Sequence, residues 1–392
     1  MATSSNHHMK NSPQLTDLPL EIITNILSRL AILNIVRLKC VCKPWLELLD
    51  SPEFTKLHLS RSSPGLLVHQ QHSWESSFFS YFGFKDVREV GYDRHELLNF
   101  IPESKSHTNI FCGRPKIVGS VDGFLCLRSR RPIDSLYICN PITHAYISLP
   151  TLERAFRHPF TVAYGFGVSI TDGQYKVVLT FQESKSDPTC RRLTDSHVYT
   201  LGTTGKWRCI TSSTQLDYAC FSIGASLNGN LHWLAGDLHD SRVISCLDLD
   251  KELFTTFSAP SLPGYRSKCL ASLVVLGDCL SVCDNTSETD IVIWMMEDYG
   301  VEESWTRGFV ISKIPNPAGA CFDVVSPIKL FENGDILMTW GDYDLHYYSN
   351  MDKTLSRMDI LELENCWAIE AILHVPALVS LTCFARESVH SF

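Results

Sequence analysis

Four aspartates, Asp122, Asp172, Asp278 and Asp335, recur beside glycines and could be pictured as a ring of carboxylates for acid–base or cation chemistry. Each adjoins a hairpin glycine, where Asp stabilises a turn through its own backbone, so the turn reading is adopted. His232 lies between Leu231 and Trp233. No Ser or Cys in a nucleophile-elbow context accompanies it, which makes it a structural histidine rather than a base. His69-Gln70-Gln71-His72 would hold a metal only if two further ligands converged, and it reads as a polar loop. Tyr164-Gly165-Phe166-Gly167 has two glycines but no following P-loop Lys, and it reads as a strand edge at a sheet junction. The 15 cysteines are odd in number and scattered, with no CxxC pair and no zinc spacing. They are expected to be reduced and buried, and Cys40-Val41-Cys42 to be helix packing. No catalytic residue, cofactor or metal is expected.

The elements that carry these residues follow from composition and pattern. At 392 residues the chain is too long for one ordinary compact domain. A hydrophobic fraction of 44% supplies a core, and 20% charged residues argue against a disordered chain. The net charge is −9 without a basic block, so no nucleic-acid partner is expected; Arg128-Ser129-Arg130-Arg131 reads as a solvated loop. Residues 1–14 read as a disordered tail, and Met1 to Ser12 lack the apolar stretch of a signal peptide. The longest apolar runs, such as Leu273-Val274-Val275-Leu276, are strand-sized, so no membrane span is expected. A cytoplasmic or nuclear location follows, and Asn285-Thr286-Ser287 then carries no meaning as a glycosylation acceptor.

Residues 15–60 read as three helices. Pro19 fits a first helical position, with Glu21 where the helix dipole favours a carboxylate. Leu18, Ile22, Ile26 and Leu30 recur every four residues, with Ile23 and Leu27 as a second row. Together these cover roughly 140° of the helix, whereas one burial partner needs a stripe of about 100°. The excess calls for two partners. A second stretch runs from Ile32 to Cys42; Pro44 opens a third, with Trp45, Leu48 and Leu49 on one face, and Ser51-Pro52 ends it. About 45 residues of helix cannot bury this surface alone. They dock on the rest of the chain or on another protein.

The order of residues resembles an F-box. Leu18-Pro19-Leu20-Glu21-Ile22, Ile26-Leu27-Ser28-Arg29-Leu30 and Val41-Cys42-Lys43-Pro44-Trp45, followed by Pro52 and Phe54, match that pattern without a gap. Ala31 departs from it, standing where many relatives carry Pro. The resemblance implies binding to a Skp-type adaptor through Leu18, Pro19, Glu21, Ile22, Ile26, Leu27, Leu30, Val41, Lys43 and Trp45. The adaptor would be the second burial partner.

From residue 64 the period becomes that of strands. Turn glycines Gly123, Gly173, Gly229, Gly277 and Gly334 are 50, 56, 48 and 57 residues apart, each between apolar runs. Asp-Gly and Asn-Gly there are hairpin signals, because type I′ turns need positive φ at both central residues. Each hairpin precedes an apolar strand (Leu136-Tyr137-Ile138, Val198-Tyr199, Cys246-Leu247, Ile291-Val292-Ile293) and then an aromatic (Tyr146, Trp207, Phe254, Trp305). Units of about 50 residues predict a β-propeller-like all-β domain over 64–388, with about five or six blades. Residues 66–112 would supply the additional blade, and Ala371-Ile372-Leu373 with Leu378–Leu381 would close the ring on early strands.

This half resembles the F-box-associated domain of large plant F-box families. The match rests on Gly119–Leu127, Asn140-Pro141-Ile142-Thr143, Tyr164–Gly167, Tyr175-Lys176-Val177-Val178, Asn228–Leu234 and Tyr299–Trp305. The paired Gly-Gly of kelch blades is missing. The resemblance implies a non-catalytic substrate-recognition subunit of a Skp–cullin–F-box ubiquitin ligase, joined to cullin and a RING protein through the adaptor and holding an unknown target protein. Candidate target loops are Glu183–Arg192, Gly236–Ser241, Pro260–Lys268 and Asn285–Thr289. Trp233, Trp294, Trp305, Trp340 and Trp367 are either blade cores or a recognition surface. Two other readings stay open: a non-degradative protein- or glycan-binding module, and an enzyme with its site in a central channel.

Overall fold

Blades of a propeller pack on neighbours at both faces, so their middle strands are buried throughout rather than alternately. Phe124–Ser129 and Ser135–Asn140 are buried at every position. The computed structural model describes residues 18–71, 77–84, 94–99, 115–129, 135–152, 161–182, 194–203, 205–210, 216–218, 222–237, 241–261, 270–313, 324–358, 366, 368–384 and 387–391. The tail expected over 1–14 lies outside them.

Six sheets, antiparallel except where Ser222–Ile223 adds parallel to the inner strand of the third, form a six-blade β-propeller. Blade 1 has Ala368–His374 as its inner strand, then Gly65–Gln71, Ser77–Phe82 and Arg94–Asn99. Blade 2 runs Lys116–Val121, Phe124–Ser129, Ser135–Asn140, Ala145–Ser148, with Val389–Ser391 added outside. Blade 3 runs Thr161–Val168, Tyr175–Gln182, Thr194–Thr200, Arg208–Ile210. Blade 4 has Ala225–Leu227 innermost, then Asn230–Gly236, Arg242–Asp248 and Leu253–Ser258. Blade 5 runs Ala271–Leu276, Cys279–Asp284, Asp290–Met296, Trp305–Ser312, and blade 6 Val325–Leu330, Ile336–Trp340, Asp344–Ser349, Thr354–Arg357. The expected additional blade is blade 1. Ala371-Ile372-Leu373 closes the ring by pairing with Leu66-Leu67-Val68, as expected. Leu378–Val379 forms no strand, and Leu381–Cys383 is a short 3-10 turn.

The closure is braced by polar side chains. Glu370, on the inner strand of blade 1, accepts from Lys116 Nζ at 2.9 Å and from Ile117 N at 3.2 Å in blade 2. Beyond His374 the chain crosses blade 2, where buried Asn140 donates to the carbonyls of Ala377 (3.0 Å) and Val379 (2.7 Å). Glu387 then accepts from the Tyr199 hydroxyl of blade 3 at 2.7 Å.

The turn glycines sit where the spacing placed them, between the first and second strands of blades 2 to 6. Asp122 and Gly123, Asn228 and Gly229, and Gly277 and Asp278 all have positive φ at both positions, the type I′ signature. At 172–173 and 333–334 only the glycine is positive. The aspartates serve turns: Asp335 takes the Asn350 amide at 2.7 Å, and Asp172 the Gln174 amide at 3.1 Å. Tryptophans at or just before outer strands lace neighbouring blades, Trp207 Nε1 donating to Pro150 O (2.6 Å) and Trp305 Nε1 to Ser258 O (3.1 Å). Trp233 is buried between blades 3 and 4, its indole donating to Tyr164 O at 2.9 Å. A Cβ at Gly165 would stand 2.7 Å from both Leu231 and Trp233. The Tyr164–Gly167 segment is thus a blade junction whose glycines admit the next blade.

Four helices precede the propeller: α1 (Leu20–Leu27), α2 (Ile32–Leu38), α3 (Lys43–Leu49) and α4 (Pro52–Arg61). This corrects the three-helix expectation. Ser51-Pro52 does end α3, but it also starts α4: Pro52 takes the first position and Ser51 Oγ accepts from Phe54 N at 3.2 Å. Pro19 caps α1 instead of opening it, its carbonyl accepting from Ile22 N at 3.0 Å. Ala31 caps α2 at φ −60°, the angle Pro would impose, so the turn survives the departure from the family pattern.

Two consequences are measurable. Gly165→Val should cost about 1–3 kcal/mol through overpacking at the blade 3–4 junction, read as a lowered urea midpoint. Burial depresses the pKa of His232 to about 4, the Ala225 carbonyl opposing, and that of His374 to about 3. Both are neutral in the fold, whereas an unfolded histidine takes a proton below about 6.5. Their contribution is complete above pH 6.5 and is lost as pH falls toward 4 and 3. The thermal midpoint should therefore fall on acidification from pH 6.5, with a shallower fall in His374→Asn.

Candidate partner-docking surface

The apolar stripe of α1 divides into two rows. Ile23 and Leu27 point inward; with Ile32, Ile35, Leu49 and Phe54 they form one cluster with Leu67, Phe79 and Tyr81 of blade 1 and Leu125, Tyr137 and Ile142 of blade 2. The outer row is bare. Ile22 is 46% exposed and Ile26 44%, and Leu18, Leu20, Val36, Val41 and Leu46 are exposed as well. Ile22 and Ile26 share one face of α1 by their spacing, and Leu18 lies just before the helix. Contiguous exposed apolar surface of this kind marks an interaction site.

Polar contacts hold the helices so that this row stays outward. Arg61 of α4 donates to Asn25 Oδ1 (3.1 Å) and Ser28 Oγ (2.5 Å) of α1. His58 Nε2 lies 3.0 Å from Leu30 O, and its Nδ1 is 3.1 Å from Ser62 Oγ. Burial lowers the His58 pKa, the Leu30 carbonyl opposing. An ion pair between Lys39 and Asp50 joins the ends of α2 and α3.

Of the residues singled out in the sequence, Leu18, Pro19, Glu21, Ile22, Ile26, Val41 and Lys43 are exposed. Leu30 and Trp45 are half-buried against the inner cluster. Leu27 is 2% exposed and sealed inside, which leaves it no surface for a partner. Leu20, Val36 and Leu46 were not singled out. Their signal was apolar type at positions that α1, α2 and α3 turn away from the inner cluster.

The described strand ends that flank the candidate loops share an end of the propeller. Glu183–Arg192 lies outside the described residues, as do 238–240 and 262–269 from the next two loops. The strands flanking all four leave from the end opposite the glycine turns: Gln182, Gly236 and Asp284 end second strands, and Ser258 ends a fourth. The helical unit sits at the glycine-turn end, because α4 stops at Arg61 and Gly65 pairs with His374 there. Asn285 is not a free loop residue. It is buried and clips blade 5 to blade 6, donating to Val325 O and accepting from Val325 N, each at 3.0 Å. Trp294 lies 4.9 Å from the Arg307 guanidinium, Trp340 packs on His346, and Trp367 lies outside the described residues. His69 is fully buried and stacked on Phe79, not a loop residue as its polar surroundings suggested. His232 is also buried, within hydrogen-bond reach of the Tyr299 hydroxyl at 2.7 Å. Among the described residues, no group of three His, Cys, Asp or Glu is gathered as a metal site.

The two rows should respond oppositely to truncation. Leu27→Ala should lose about 2–5 kcal/mol of stability, and Ile26→Ala should stay within about 0.5 kcal/mol of wild type, both read by chemical denaturation.

The chain matches the F-box domain family over residues 15–57 and the F-box associated beta propeller domain family over residues 69–375. "F-box protein At3g07870" of Arabidopsis thaliana is 29% identical, with 83% of each chain covered. "Putative F-box protein At1g30920" of the same plant is 31% identical, covering 84% of this chain and 82% of its own length. Among solved structures, one titled "Structure of YjhT" aligns at a TM-score of 0.42 and 11% identity over 73% of this chain and 91% of its own; that likeness carries no argument.

Proposed function

The chain belongs to the F-box proteins that carry an F-box-associated β-propeller domain, and from that premise we propose that it is the target-recognition subunit of a Skp–cullin–F-box ubiquitin ligase. The observation that carries the reading is the bare outer row of Ile22 and Ile26, with exposed Leu18 just before it, on a helix whose inner row is already sealed. A Skp-type adaptor covers that row, flanked by Val41 and Lys43, and links the chain to cullin and a RING protein. Leu27 contributes by seating α1 on the propeller beneath.

The mechanism is proximity. A target protein held by the propeller meets the ubiquitin-charged enzyme at a raised effective concentration, and this chain breaks no bond itself. The target is held at the end opposite the helices, where the long connections leave the second and fourth strands. Adaptor and target then occupy opposite ends of the chain's fold and do not compete. The described residues lining the axial channel carry no titratable side chain, which supports a receptor over an enzyme with its site there.

Binding to a purified Skp-type adaptor tests the reading. Ile22→Asp with Ile26→Asp should weaken it at least a hundredfold, while the thermal midpoint stays within a few degrees because both positions face solvent. Wild-type affinity in the double variant would remove these residues from the interface. No adaptor binding by the wild-type chain would remove the ligase reading itself.

A further inference from the structure

The inner strands of all six blades enclose an axial channel of about 470 Å³. Ordinary ligand pockets run from about 300 to 1,000 Å³. Most of the wall is apolar: Ile117 from blade 2, Phe166 from blade 3, Val274 from blade 5, Ile328 from blade 6, Ile372 and Leu373 from blade 1, with Ala225 from blade 4. Val274, Ile372 and Leu373 remain partly exposed inside the ring. Hydroxyls interrupt the wall at a few points, among them Ser226, Ser326 and Thr339. Five of the six inner strands, all but Thr161–Val168, pair with one strand only, so part of their backbone N–H and C=O groups has no partner strand on the channel side.

We propose that this channel is a binding site for one small, uncharged, predominantly apolar molecule bearing one or two hydroxyl or carbonyl oxygens. Filling it removes the exposed side chains from water. The ligand's oxygens meet the wall hydroxyls and the free strand edges, which fix its orientation. A charged ligand is rejected, because no ionisable side chain among the described lining residues compensates the loss of its hydration. Charged chain termini of a peptide fail on the same ground. A ligand in this place touches inner strands of every blade, so it stabilises the ring as a whole.

The neutral fluorophore N-phenyl-1-naphthylamine tests the site on the purified full chain. Saturable one-to-one binding is expected with a dissociation constant below about 100 µM. The anionic analogue 8-anilinonaphthalene-1-sulfonate should bind at least tenfold more weakly. Val274→Trp and Ala371→Phe fill the channel from different blades, and each should weaken the neutral probe at least tenfold. Ile22→Asp, on the helical surface, should leave it unchanged. Equal binding by a folded channel variant overturns the proposal, as does loss in Ile22→Asp or no saturable binding by the wild type. If both channel variants fail to fold, hydrogen exchange of the wild type decides. Protection gained with the probe in 271–276, 325–330 and 368–374 supports the site, and no gain there overturns it.

Discussion

The pairing of Ala368–His374 with Gly65–Gln71 is the contact on which the rest of the molecule depends. An open sheet of this size would leave long unpaired edges, and a propeller leaves only short, protected ones by radial repetition. Here the last long strand becomes the inner strand of the first blade, so the ring forms only once nearly the whole chain is present. Glu370 ties the closing strand to Lys116 and Ile117 of the neighbouring blade, whose Asn140 holds the chain beyond it. The pairing also fixes direction. Gly65 opposite His374 puts the start of the propeller at the glycine-turn end, only a few residues after α4, and the helices have no other end to occupy.

From that seat follows the division of α1. A helix docked on a sheet edge buries one row, and Ile23 and Leu27 are that row. What remains outward is as apolar as what is buried. A chain that kept both rows apolar without a second partner would carry an aggregation liability at its surface. The outer row is therefore best understood as half of an interface. The four-helix unit keeps it in place with few contacts, Arg61 and His58 tying α4 back to α1.

Much of this was legible in the residues, and the misses have physical causes. The turn glycines revealed five blades because positive φ restricts which residues a tight hairpin accepts. The sixth lacked such a marker, since its first two strands lie about 300 residues apart in the chain and share no turn. The fourth helix was hidden because Ser-Pro stops one helix and starts another equally well. The width of the α1 stripe announced two partners, but not which row each would take; Leu27 went to the propeller, and only the packed seat decides that. Asn285 looked like a loop residue because a buried amide bridging two blades has the same sequence context as a turn.

The helical unit seats one side of α1 on the propeller, and the proposed function gives the other side to an adaptor. Hydrogen–deuterium exchange of the full chain, with and without a purified Skp-type adaptor, tests this most directly. Slowed exchange is expected within 18–49 on adding the adaptor, with no change in 65–71 or 368–374. Unchanged exchange in 18–49, or protection appearing in the blades instead, would contradict it.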